Sequence, residues 1–429
     1  MKPEQTETPP EIDQLSSPPK KVSFLRRKAV LITISVIIFL ATAGAAYVLV
    51  FAQKNNPTAE APQSQATTDD KDDTKPLVDT IYAYSDSNLV AINPQTKEFV
   101  IIDTAIDAES GNANLGTTTP LTAPNFQSAV YIKDNTGWTT TGSDKKIFYS
   151  IPDAAKKTGF YTLYLAAWSS DSTKLAFSIG FMCPMFGSTC SDSSEDKSLT
   201  GVYVYDTATE KTTKIQATGV IQWLPGSTKI AYFDESTTPS KLLINDTVTG
   251  AMTTAATKKF GFGPQISISH DAQKIIYSAG TNGRESSAIF IENINGTDQK
   301  TLKTGSFADL QWPKFLPGSS SDYAYSKRKE IACYGGGSGC VSASLHIVKN
   351  GEDKKAVEDI DYKVVGFYKN QAVVVISDGQ VGISPNNPAP YKANISLLDL
   401  NNFALSKIYE KVTQKGSDTD MQLKLRIGE

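Results

Sequence analysis

Histidine is scarce in this chain, with two in 429 residues, and there is no surplus of basic charge, the formal net charge being −3. A basic stripe with a pI above about 9 is the usual footprint of a nucleic-acid partner. The charge balance therefore argues against one. His270 and His346 stand without a nucleophile motif nearby. His270 falls in a turn and His346 in the alternating segment LHIV, so both read as structural. Helical periodicity is nearly absent after Ile81.

One long hydrophobic run is present. Ala29 to Ala52 (AVLITISVIIFLATAGAAYVLVFA) contains no charged residue. At 1.5 Å per residue it reaches about 36 Å, enough to cross a hydrocarbon core of roughly 30 Å. Lys20, Lys21, Arg26, Arg27 and Lys28 precede it, whereas Lys54 and the acidic group Asp69, Asp70, Asp72 and Asp73 follow. That asymmetry places the N-terminus in the cytoplasm and the bulk of the chain outside. A cleaved signal peptide ending at Ala52 is the competing expectation, but its apolar region is usually about 7–15 residues. No cysteine follows closely, which argues against a lipid-modified anchor.

The expected order is thus a disordered cytoplasmic tail (1–28), a single-pass transmembrane helix (29–52), a flexible exported linker (53–78) and one large domain (79–429). The tail and linker hold too little apolar surface to offset the entropy of ordering.

Within the domain, short apolar runs recur every forty to fifty-five residues or so, a period typical of propellers and other arrays. Four stretches show the unit: Ala166–Gly180, Ile221–Glu235, Ile266–Gly280 and Gln311–Arg328. Each has an anchor residue, a tight turn and an alternating strand. Pro225-Gly226 and Pro317-Gly318 supply turn chemistry in two of them, and Ser170-Asp171 and His270-Asp271 in the others. A second hairpin follows in Gly201–Ile215, Lys241–Ala255, Ala288–Leu302 and Asn394–Ile408. Two hairpins make one four-stranded blade.

The expected fold is all-β, a propeller of seven four-stranded blades with six or eight as the alternatives. The blades are placed near Ile81–Thr104, Leu121–Phe160, Leu163–Gln216, Gly219–Thr257, Pro264–Thr304, Ala308–Val357 and Tyr362–Lys411. The first shows only three strands. The alternating run Met421–Ile427 is expected to supply its fourth and close the ring, since an open ring leaves sheet edges bare.

The units at Trp168 and Trp223 resemble the repeat of TolB-type, WD40-like propellers, and those of prolyl-oligopeptidase and dipeptidyl-peptidase N-terminal propellers. The resemblance implies the fold and leaves function open. It departs from TolB before the propeller, where the linker stands in place of a separate domain.

The four cysteines form two C-x6-C pairs, Cys183–Cys190 and Cys333–Cys340, just after the second strand of the third and sixth blades. Outside the cytoplasm these are expected to be local disulfides that staple long loops. A zinc site lacks the usual ligand spacing and a nearby histidine. Gly335 to Cys340 fails as a nucleophile elbow, because Cys340 stands where the second glycine is needed. Ser191–Asp196 lacks calcium-loop spacing, and Gly261–Pro264 is too short for a nucleotide fingerprint. No cofactor or metal is expected. Sequons stand at Asn245, Asn295 and Asn394.

The sequence thus reads as a cell-envelope binding module that is not an enzyme. Its partners would be the bilayer, through Ala29–Ala52, and an envelope protein or glycan. The candidate binding rim comprises the two clipped loops with Phe181, Phe186 and Tyr334. One alternative is a transmembrane sensor that signals through the Pro-rich segment Pro9–Lys21. Another is a propeller hydrolase or lyase with its site formed across blades.

Overall fold

The computed structural model describes residues 78–107, 111–112, 116–153, 161–181, 199–217, 221–234, 240–257, 265–281, 286–306, 309–331, 340–377, 391–413 and 423–428. Seven antiparallel blades follow one another in chain order. Blade 1 holds Ile81–Ser85, Asn88–Ile92 and Phe99–Thr104, and blade 2 holds Leu121–Thr122, Ser128–Lys133, Thr136–Thr141 and Asp144–Ser150. Blade 3 runs from Tyr161–Trp168 to Lys211–Ile215, blade 4 from Ile221–Trp223 to Met252–Thr257, and blade 5 from Gln265–Ile268 to Lys300–Ser306. Blades 6 and 7 share one long strand, Glu352–Tyr368. Its first part pairs with Cys340–Lys349 as the outer strand of blade 6. Its second part pairs with Gln371–Ser377 as the inner strand of blade 7.

The middle strands are apolar on both faces because each blade lies between two others. In blade 1, Ile81, Ala83, Val90 and Ile92 pack with Val373, Ile395 and Leu397 of blade 7. The alternate residues Tyr82, Tyr84, Leu89 and Ala91 pack with Ala129 and Tyr131 of blade 2. Outer strands lose one of these neighbours and turn polar, as in KTTKI at Lys211–Ile215.

The repeated turn has two solutions. In blade 3, Ser169 Oγ donates to Asp171 Oδ1 (2.6 Å) and accepts from Lys174 N (2.8 Å), while Ser172 takes a φ of 61°. Blade 5 repeats this with Ser269, Asp271 and Lys274, at 2.6 and 2.9 Å. Blades 4 and 6 instead place glycine, at Gly226 (φ 64°) and Gly318 (φ 72°), directly after proline. Proline fixes one central dihedral and glycine supplies the positive φ of the next. Sequence and structure agree that these segments fill one slot, but with different backbone paths.

The C-terminal run closes the ring as expected, and does more. Leu423 and Lys424 pair antiparallel with Ser85 and Tyr84 as the inner strand of blade 1. Arg426 and Ile427 then pair in parallel with Leu121 and Thr122 of blade 2. Arg426 also reaches blade 3, donating to Leu165 O (3.0 Å) and Ala166 O (2.6 Å). A Cβ on Gly366 of blade 7 would stand 2.5 Å from Ile427 Cβ. One short segment therefore touches blades 7, 1, 2 and 3. A small hairpin, Gly111–Asn112 with Gly116–Thr117, adds to the inner edge of blade 3 through Thr117 and Leu165. Nothing in the sequence pattern marks it.

The apolar run Ala29–Ala52 lies outside the described residues. Among the described residues no helix is long and apolar enough to cross a membrane.

Candidate functional site

The two rims of the propeller differ. On one, first strands turn into second strands and third into fourth through segments such as 93–98, 142–143, 207–210 and 350–351, none longer than 316–322. On the other, second strands pass to third and each blade passes to the next. Connections there include 105–120, 182–200 and 378–390. Binding residues concentrate on such connections when a rigid scaffold holds their ends.

By sequence, both cysteine pairs follow second strands that end on this rim. The second strands of blades 3 and 6, Lys174–Phe181 and Tyr323–Ile331, each end two residues before the first cysteine of a pair. Cys183, Cys190 and Cys333 lie outside the described residues, and Cys340 opens a strand opposite Ile331. Phe186, Tyr334, Ser191–Asp196 and Gly261–Pro264 also lie outside them.

Phe181 is half-buried. Its ring meets Tyr161 edge-on at 5.3 Å. Behind it the rings of Phe177 and Tyr203 stack at 5.4 Å, and Tyr149 lies 5.6 Å from Tyr203. Tyr203 Oη donates to Leu199 O (2.7 Å), the carbonyl just before the third strand. Burial, with the neighbouring Tyr149 and Tyr161, pushes the Tyr203 phenol up to about 12, so it remains a donor at neutral pH. The sequence marked Phe181 for binding. The structure places it in an aromatic cluster with Tyr161, packed against the core between blades 2 and 3.

The opposite rim carries a polar cleft of about 570 Å³ between blades 2 and 3, lined by Gln127, Thr139, Lys145, Ser172, Tyr205 and Glu210 among others. Lys146 pairs with Glu210 across it. Trp168 forms part of the wall, but its indole N–H is committed to Leu121 O (3.1 Å). The cleft offers hydroxyl, amide and charged groups.

Asp103 and Asp353 each join neighbouring blades. Asp103, on the outer strand of blade 1, accepts from Lys133 Nζ (2.8 Å) and Tyr131 Oη (2.7 Å) of blade 2. Burial raises its carboxyl, but Lys133, Tyr131, the Thr104 N–H and nearby Lys145 outweigh that and hold it at about 2. Asp353 of blade 6 accepts from Tyr325 (2.7 Å), contacts His346 Nδ1 (3.0 Å) and pairs with Lys303 of blade 5 (2.9 Å). Its carboxyl is likewise held down against burial by those partners. His346 stacks on Tyr325 and serves this junction, and His270 is an exposed turn residue, as both sequence contexts suggest.

Asp103 carries a pH signature. Its folded value lies below the unfolded one of about 3.9, so its contribution is complete above about pH 4 and disappears as pH falls toward 2. Asp103→Asn is expected to cost about 2 kcal/mol at pH 7 and little at pH 2. Denaturant unfolding at the two pH values checks this, and an equal loss at both would refute it.

Of the sequons, Asn245 is buried and donates to Gln216 O (3.0 Å), whereas Asn295 lies exposed in a turn. Among the described residues there is no group of three His, Cys, Asp or Glu placed to hold a metal.

Comparison of the sequence with protein-family models and with curated proteins gives no match. Solved structures of similar fold include TolB from Acinetobacter baumannii, at 13% identity and a TM-score of 0.34 over 70% of this chain and 67% of that one. The propeller domain of the Trilobed protease from Pyrococcus furiosus is 11% identical, with a TM-score of 0.41 over 77% of this chain and 96% of that one. Porphyromonas gingivalis dipeptidyl peptidase 4 is 10% identical, with a TM-score of 0.41 over 77% of this chain and 49% of that one. The expectation that the chain is not an enzyme is corrected by these comparisons, because propellers of this kind occur in peptidases and in oligogalacturonate lyases. The likeness is one of fold: this chain is a seven-bladed β-propeller similar in build to that of TolB.

Proposed function

We propose that this chain is a membrane-tethered propeller that captures a protein or glycan of the cell envelope on the rim of its long connections. The observation that carries the reading is the asymmetry of the rims: tight turns on one, the connections 105–120, 182–200 and 378–390 on the other. A rigid ring with one elaborated rim is a scaffold for recognition, since the ring fixes the ends of each connection and leaves its sequence free to vary. The basic flank Lys20–Lys28 and the apolar run Ala29–Ala52 support the tether.

The test uses the full chain. Segments 183–198 and 332–339 are each replaced by the two-residue turn Asp134-Asn135, which already joins a second and third strand in blade 2 with φ of 51° and 56°, so that Leu199 and its bond to Tyr203 are kept. Capture of envelope proteins and glycans is expected to disappear while the unfolding midpoint stays near that of the parent. Substituting Gln127 and Thr139 in the opposite cleft is expected to leave capture intact. Undiminished capture by the double replacement would eliminate the long-connection rim as the site.

A further inference from the structure

Blade 4 ends on the outer strand Met252–Thr257, MTTAAT, which carries no charged residue. Met252 is 43% exposed and is the one methionine among the described residues. The register sets it opposite Asn245 of the third strand. Its sulfur nevertheless has a fixed neighbour. Tyr232 lies in the core between blades 3 and 4, 2% exposed, and its phenol oxygen reaches Met252 Sδ at 3.0 Å.

That phenol is also 3.0 Å from Gln216 O, the carbonyl just past the outer strand of blade 3, which accepts from Asn245 Nδ2 as well (3.0 Å). Burial raises the Tyr232 phenol, so it stays protonated at neutral pH. A thioether is a weak acceptor. Whichever acceptor takes the hydrogen, the Tyr232 oxygen stands against one side of the sulfur. A thioether sulfur carries two lone pairs, one on each side of the C–S–C plane, and Tyr232 covers one of them.

We propose that Met252 is a site of reversible oxidation by peroxide, with Tyr232 directing the oxygen to the uncovered lone pair. The sulfur attacks one oxygen of hydrogen peroxide. The O–O bond breaks, an S–O bond forms and the sulfur gives up two electrons. The second oxygen leaves as hydroxide and takes the proton of the transferred oxygen, giving water. Oxidation makes the sulfur a stereocentre, and each sulfoxide epimer is reduced by its own class of enzyme. With one side covered, the folded chain yields one epimer, which one class of reductase reverses. The product places a polar group on an outer strand that has no charge of its own, and polar groups keep such edges from pairing. The core is left as it was, since Tyr232 keeps Gln216 as a partner.

In the experiment the full chain is treated with hydrogen peroxide, either folded or unfolded in urea, and then cut with trypsin. The peptide Leu242–Lys258 holds Met252 as its single methionine. A gain of about 16 Da on this peptide is expected from the folded chain, with the unfolding midpoint unmoved. The two reductase classes are then applied to the oxidised peptide. For the folded chain one class is expected to remove at least about fivefold more oxygen than the other, and for the urea-treated chain the two are expected to match. Tyr232→Phe keeps the ring, removes the oxygen and is expected to bring the ratio toward one. Where that variant fails to fold, the folded and urea-treated parents decide by themselves. A folded chain whose Met252 resists oxidation would overturn the proposal, as would equal epimers from the folded parent or an unchanged ratio in folded Tyr232→Phe.

Discussion

Deleting residues 423–429 is expected to destabilise the propeller by roughly 5 kcal/mol or more. Leu423, Leu425 and Ile427 are 2–4% exposed. Full burial of each such side chain contributes about 1.5–3 kcal/mol. The deletion also strips the inner edge of Ile81–Ser85, removes the strand beside Leu121–Thr122 and leaves the Leu165 and Ala166 carbonyls without Arg426. Against total stabilities of typically 5–15 kcal/mol, this removes a large share, and a bare inner edge promotes aggregation. Denaturant unfolding of full and shortened chains measures it. Adding the peptide 421–429 is expected to restore part of the loss by mass action. A shortened chain with an unchanged midpoint would show that the segment merely lies on the ring.

Trp168→Ala is expected to cost about 3–5 kcal/mol from the lost volume. Trp168 is 1% exposed and packs in the core between blades 2 and 3. Its indole donates to Leu121 O, so truncation also removes that hydrogen bond. Trp168→Phe keeps most of the packing and loses the donor, and is expected to cost about 1–2 kcal/mol. Trp223 repeats the arrangement one blade on, donating to Ala167 O (3.1 Å). Leu121, whose carbonyl takes the indole N–H, is also the residue beside which Arg426 pairs, so the indole and the closing segment share a contact. Combining Trp168→Ala with the deletion is therefore expected to cost less than the sum of the two, as neighbouring groups usually do. Strict additivity in unfolding measurements would contradict a shared contact.

Much of the ring was legible because a blade's middle strands are buried on two faces and its turns need particular residues. Ile230-Ala231-Tyr232-Phe233 and Leu175-Ala176-Phe177 announce such strands. Pro-Gly and Ser-x-Asp mark the turns between them. What escaped depends on contacts far apart in sequence. The sharing of Glu352–Tyr368 by two blades has no local signal, since a strand that bends from one sheet into the next looks like a long strand. Nor does Asp103 announce its lysine and tyrosine partners some thirty residues on. Arg426 reads as one charge in an alternating run, yet its carbonyl partners are about 260 residues earlier. At the candidate site, cysteine spacing located the ends of two second strands. The roles of Phe186 and Tyr334 were not legible, because connection residues obey no periodicity from which contacts follow.

The closing segment also sets an order of events. Tyr84 must wait for Lys424, about 340 residues later in synthesis. At roughly 5–20 residues per second that is a delay of roughly 20–70 s, during which the first blade made stays without its inner strand. Its inner edge is open until the last strand arrives, and its outer edge is the apolar Phe99–Ile101 throughout. The newborn chain is thus most vulnerable at its oldest blade, where an escort protein would have most to cover.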